Sequence, residues 1–162
     1  MNVPGLHRAC VILGLLTVFG APPAFGAAII LSDRDLARSS VAAVDARVLS
    51  LTPHWNEDHS IIFTTVTLGV LQPLMSRDFA VGRTMKIEVP GGEIGDVGML
   101  FSEAAIFHPD ERVVVFARRW TGDRLVVAGG HQGRLSVDKN GVLLGRGIPV
   151  DTFGARVRSL AR

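Results

Sequence analysis

The stretch Val89-Pro90-Gly91-Gly92-Glu93-Ile94-Gly95-Asp96-Val97-Gly98 limits the folds open to this chain more than any other. Its four glycines fall within eight residues, directly after an alternating, strand-like run. Glycine at that density places backbone at positive φ or hard against another surface. Two structures meet that requirement: a phosphate cradle and the corner of a small β-barrel. A phosphate-binding loop needs Gly-x-x-x-x-Gly-Lys-Ser/Thr at the start of a helix. Here the lysine is missing and Met99-Leu100-Phe101 follows. A dinucleotide fingerprint needs Gly-x-Gly-x-x-Gly inside a βαβ unit. No helical crossover pattern follows this loop. The stretch therefore reads as a barrel corner, the point where a third strand leaves the edge, with Glu93 as a surface contact.

The chain opens with a different kind of segment. His7 and Arg8 make a short basic start, Ala9 to Gly20 is an apolar run of twelve, and Ala21-Pro22-Pro23-Ala24-Phe25-Gly26 breaks any helix. Charge, apolar core and small-residue site, in that order, are the marks of a secretory signal peptide. Twelve residues of helix span about 18 Å, short of the ~30 Å hydrocarbon core, which argues against a membrane anchor. The expected division is a signal peptide over 1–26, cleaved between Gly26 and Ala27, and one domain over 27–162. The product is exported, periplasmic or secreted, with no stable membrane anchor after cleavage.

Cleavage changes the composition. The only cysteine, Cys10, is removed, so the exported domain must rest on its core rather than on disulfides. Of 17 Lys and Arg only Arg8 is lost, leaving 16 against 15 acids and a net charge of about +1. The whole-chain pI of 9.3 overstates the basic character of the domain. Tyrosine is absent, and the aromatics are Phe with Trp55 and Trp120. Near-neutral charge and few stacking rings leave little for nucleic acid to hold, so none is expected as a partner.

The remaining pattern is β with a helix at each end. Ser32 before Asp33-Arg34-Asp35-Leu36-Ala37-Arg38 predicts a short capped helix with acids in its first turn. From Val41 the period becomes two: Ala42, Val44, Ala46 and Val48 on one face, Asp45 and Arg47 on the other. Thr52 to His59 reads as a polar connection. Ile61 to Leu71 is the strongest strand, ended by Gln72-Pro73, and pairs with the first in a hairpin. Met85 to Val89 is the third strand. Met99 to Phe107 has no clear pattern. Val113 to Ala117 is apolar throughout and reads as a strand buried on both faces. Asp138-Lys139-Asn140-Gly141 marks a hairpin turn between Leu135–Val137 and Val142–Leu144. Asp151 to Arg162 predicts a closing helix with Phe153, Val157 and Leu160 on one side. The fold class is all-β with minor α: a five- to six-stranded OB-like β-barrel with short N- and C-terminal helices.

Chemistry is sparse. His54, Asp58 and His59 are the right types for a zinc or copper site, but their spacing is not a known ligand pair and a solvated loop tip is the commoner reading. No cofactor is expected. There is no Gly-x-Ser-x-Gly elbow, and the exported chain has no thiol nucleophile. Trp55 and Trp120 are candidate partner contacts.

The order of Val41–Val48, Ile62–Leu68, Val89-Pro90-Gly91-Gly92-Glu93, Glu111–Phe116 and Gln132-Gly133 resembles a family of uncharacterised exported bacterial proteins that are small β-domains. More remotely, the strand order is similar to netrin-like domains, the OB-type fold of tissue metalloprotease inhibitors. Those inhibitors use an N-terminal disulfide-bonded cysteine, which this chain lacks. Where the family has Gly-Glu before its apolar strand, Asp110-Glu111 stands here. The resemblance supplies no catalytic residues, and the inhibitors' mechanism does not carry over. The expected function is a non-enzymatic domain that binds another exported protein, such as a secreted protease, through its loops, with Trp55, Glu93, His131 and Gln132 as the candidate contacts. The alternatives are a small metal-dependent hydrolase using His54, His59, His108 or His131, and a carbohydrate- or envelope-binding module. Expressed in a bacterial host, the exported product should begin at Ala27 by intact-mass analysis. A product that retains Cys10 would overturn the cleavage assignment.

Overall fold

The computed structural model describes residues 29–75 and 78–161. The proposed signal peptide, 1–26, lies outside the described residues. Strand β1 (Ala42–Trp55) and strand β2 (Ile62–Met75) form a long antiparallel hairpin, and β3 (Thr84–Pro90) pairs antiparallel with β2. A small separate hairpin follows, β4 (Gly92–Ile94) with β5 (Val97–Met99). Strand β6 (Arg112–Arg119) then pairs with β1, and β7 (Leu125–Val127) lies between β6 and β3, parallel to β3. The ring β1-β2-β3-β7-β6 closes on itself as a five-stranded barrel. Strands β8 (Arg134–Val137), β9 (Val142–Leu143) and β10 (Ile148–Pro149) extend the sheet outward from β6. Helix α1 (Asp33–Ser39) precedes the barrel and α2 (Val150–Leu160) ends the chain.

The barrel has an inner core and an outer one. Val44, Ala46, Val48, Val66, Leu68, Ile87, Val113 and Val115 fill the interior, and Ala105 and Phe107 plug it from the segment after β5. On the outside of β1 and β6, Ala43, Val114 and Phe116 meet Leu36 of α1 and Phe153 and Val157 of α2. The Phe116 and Phe153 rings meet edge-on, 6.2 Å apart. This double burial explains why β6 is apolar from Val113 to Ala117. Helix α1 starts as its sequence predicts: Ser32 Oγ accepts from the Asp35 amide, and Asp35 Oδ2 accepts from the Ser32 amide.

Several boundaries differ from the sequence reading. Strand β1 continues through Thr52–Trp55, so the polar connection is only the turn after Trp55. Pairing with Phe63, Thr64 and Thr65 holds those residues in the ladder despite their polarity. Strand β2 runs past Pro73, which pairs with Val44 at an irregular step in the register. A proline is tolerated where the ladder is already broken. The glycine loop folds into the β4–β5 hairpin rather than a simple corner, and Met99 belongs to it. At Gly92, φ is +137°, and an added Cβ would stand 2.5 Å from Thr64 Oγ1.

Asp45 stands on the face opposite Val44, as its alternation predicts, but that face is covered here: Asp45 is 1% exposed, and Arg112 donates to it twice, Nε at 3.0 Å and Nη2 at 2.7 Å. The bidentate bond raises the Arg112 pKa above its already high ordinary value. Removing one partner of such a pair strands a buried charge. Arg112→Ala should therefore lower the unfolding free energy by about 3 kcal/mol in urea titration. A loss under about 1 kcal/mol would mean that water replaces the guanidinium.

Candidate functional site

With the helices over β1, β6 and the Leu74–Met75 end of β2, the outer face of the first half of β2, of β3 and of β7 is left without a covering helix. An irregularity in β1 decides which side chains stand beside it. The β1–β2 register shifts between Val48 and Ser50. Before the shift, Val44, Ala46 and Val48 fill the interior. After it, Leu51 packs on that core and His54 lies opposite Phe63. A bulge re-aims every following side chain in this way. Strict alternation from Ala42 would have sent His54 inward.

Three rings run across this face. His54 stacks on Phe63 at 6.5 Å, and Phe63 meets Trp120 at 5.6 Å and 36°. Trp120 comes from the β6–β7 turn, and the Arg124 guanidinium stands 6.0 Å from its ring centre. On the β1–β2 turn, Trp55 stacks on His59 at 6.2 Å. The two turns and the strands between them enclose a cleft of about 700 Å³, lined by His54, Trp55, Glu57, Asp58, Phe63, Glu88, Trp120 and Arg124 among others. Phe63, Glu88 and Trp120 also line a second cavity of about 390 Å³, closed by Phe101, Glu103 and Arg118. A third, of about 650 Å³, continues past Val89, Pro90 and Ala104 to Glu93, Leu100 and Ile106.

Glu88 stands between the first two. Its side chain is 16% exposed, and Thr65 Oγ1 donates to Oε1 at 2.7 Å. Its Oε2 is buried and accepts no hydrogen bond. His54 Nε2 lies 3.3 Å from that oxygen, close enough for charge attraction but not aligned as a donor. A buried carboxylate oxygen without a donor is uncommon and costs stability.

The expected site residues divide among these features. Trp55 lines the large cleft, at the end of a strand rather than a loop tip. Glu93 is exposed on β4 and lines the third cavity. His131 sits on a 3-10 turn, its Nδ1 3.4 Å from Glu103 Oε2; it does not line the second cavity, although Glu103 and Gly130 beside it do. Gln132 serves the chain's own start: its Nε2 donates to the Ile29 carbonyl and its Oε1 accepts from the Leu31 amide. That places it as a clamp on the segment leading into α1.

The metal candidates take separate partners. His54 faces Glu88, His59 stacks on Trp55, and Asp58 Oδ1 accepts from Ser60 Oγ at 3.0 Å. Among the described residues, no group of three or more His, Cys, Asp or Glu is placed to hold a metal ion. Phe63, Glu88 and Arg124 were not singled out from sequence. Phe63 carried a signal, an aromatic on the threonine-lined face of β2. Glu88 carried none, because its burial depends on His54 arriving from β1. No family model, no curated protein and no solved structure matches this chain.

Glu88→Gln removes the stranded charge and keeps the shape. Its unfolding midpoint in urea should stay level or rise, by up to about 1 kcal/mol. A loss above about 2 kcal/mol would make the carboxylate a structural group instead.

Proposed function

We propose that this protein is an exported, non-enzymatic binding domain that holds another exported protein on the face built by β2, β3 and the β1–β2 and β6–β7 turns. The observation that carries this reading is the exposed apolar surface around the three cavities. Leu100 is 83% exposed, Ile106 57%, Trp120 47% and Phe101 38%. All four line the connected cavities. Large apolar and aromatic side chains gathered at a groove with a polar rim are the composition of an interface.

Strand order supports the OB-type reading of the barrel. The three-strand meander, the parallel β3–β7 pairing and the β6–β1 closure follow that arrangement. Domains of that type bind ligands on the second and third strands and the loops beside them. Export rests on the signal-like start of the chain. Among the described residues no helix is long and apolar enough to cross a membrane.

A second reading, a glycan-binding module, is favoured by one observation. The His54–Phe63–Trp120 ring strip lies among Asn56, Asp58 and Arg124, which are planar hydrogen-bonding groups suited to sugar hydroxyls. Site-specific photo-crosslinking separates the two. A photoreactive residue replacing Leu100 or Thr121 should give a discrete protein adduct in the exported fraction, lost in Trp120→Ala. A control probe at Arg156 on α2 should give none. Adducts of equal yield from all three positions would sink the proposed face. Binding of an oligosaccharide with no protein adduct would move the assignment to the second reading.

A further inference from the structure

The large cleft has a chemistry more specific than its shape. Glu57, Asp58 and Glu88 line it, against Arg124 as its one permanently charged cation. The whole sequence has two more Lys and Arg than Asp and Glu, so this cleft is acidic on a chain that is not. Its walls include Phe63 and Trp120, whose ring faces carry partial negative charge. Arg124 already stands over Trp120, 6.0 Å from the ring centre. That contact is an example, within the chain, of the ring receiving a guanidinium. At the floor, Glu88 Oε2 has no hydrogen-bond donor.

On the basis of the protein-binding reading above, we infer that the cleft receives an arginine or lysine side chain of the partner, with Glu88 Oε2 as its acceptor and Phe63 and Trp120 as its walls. The incoming cation takes the position now held by His54 Nε2, 3.3 Å from Oε2. His54 is free to yield. Its side chain is 42% exposed, its other nitrogen is a long 3.5 Å from the Thr52 carbonyl oxygen, and its stacking on Phe63 is the contact that the cation would replace. A guanidinium or ammonium there gains a charge-assisted bond and ring contacts together. An anionic group would meet three carboxylates. A neutral sugar would find stacking surface but leave the buried charge uncompensated.

The test uses the exported protein and the peptide acetyl-Gly-Arg-Gly-amide, with its citrulline counterpart as a neutral isostere. The two tryptophan indole N–H signals in the NMR spectrum report the cleft, since Trp55 and Trp120 both line it. The arginine peptide should shift them with millimolar affinity, and the citrulline peptide should bind at least tenfold more weakly. Glu88→Gln should abolish that preference, while its indole signals confirm a folded protein. The double variant Glu57→Gln, Asp58→Asn should weaken binding only two- to threefold, because those groups are solvated. Equal binding of the arginine and citrulline peptides would overturn the inference, as would an unchanged preference in Glu88→Gln. Maltohexaose shifting the indoles where the arginine peptide does not would assign the cleft to a glycan. A protein adduct that depends on Trp120, with no arginine preference, would leave the interface standing and remove only the cation.

Discussion

Closure of the barrel between β1 and β6 is the constraint on which the rest of this structure depends. The pairing of Ala42–Arg47 with Arg112–Ala117 joins the two ends of the strand ring. Both strands are buried on both faces there, which is why the sequence is Ala-Ala-Val on one and Val-Val-Val-Phe-Ala on the other. Small side chains on β1 allow the helices to approach. The helices must then cover that side, because Val114, Phe116 and Ala43 would otherwise face water. Asp45 sits in this seam and is tolerated only because Arg112 pairs with it in two bonds.

The cleft is a consequence of that arrangement. Cover on one side of a small barrel leaves the other side open, and here the open side is the first half of β2 with β3 and β7, since α2 covers the Leu74 end of β2. Two turns rise beside it: the β1–β2 turn with Trp55, Asp58 and His59, and the β6–β7 turn with Trp120 and Arg124. Neither turn makes a site alone. The parallel β3–β7 contact, with Glu88 opposite Val126, brings the second turn to the same face as the first. Residues some sixty positions apart thus share one wall.

How much of this could be read from the chain follows the range of the interactions. Local signals read through. Ser32 caps α1, and Asp138 Oδ1 accepts from the Asn140 and Val142 amides to set the β8–β9 turn. The buried β6 run is also legible, because its composition states its environment. Signals that depend on a partner elsewhere do not read through. The bulge near Leu49 has no local mark, yet it sets which face His54 joins. The bonds of Gln132 to Ile29 and Leu31, 103 and 101 positions away, likewise leave no local mark. Glu88 alternates outward in Met85–Val89 as any solvated residue would, and only neighbours from other elements, Thr65, His54 and Trp120, make it different.

Two acidic side chains are drawn into this barrel, and the contrast between them separates structure from function. Asp45, on the covered side, has both oxygens bonded to one guanidinium, and nothing about it calls for a further partner. Glu88, on the open side, has one oxygen bonded to Thr65, while the other has the His54 ring nitrogen 3.3 Å away and no hydrogen bond. An unmet buried acceptor costs about 1–3 kcal/mol, a large share of the stability of a domain this size. A fold that satisfies one carboxylate completely has the means to satisfy the other, through one more threonine or a shift of His54. The bare oxygen lies next to the ring strip, in the acidic cleft and beside the exposed tryptophan. An oxygen left without a donor at such a place is the observation on which the proposed cation site rests.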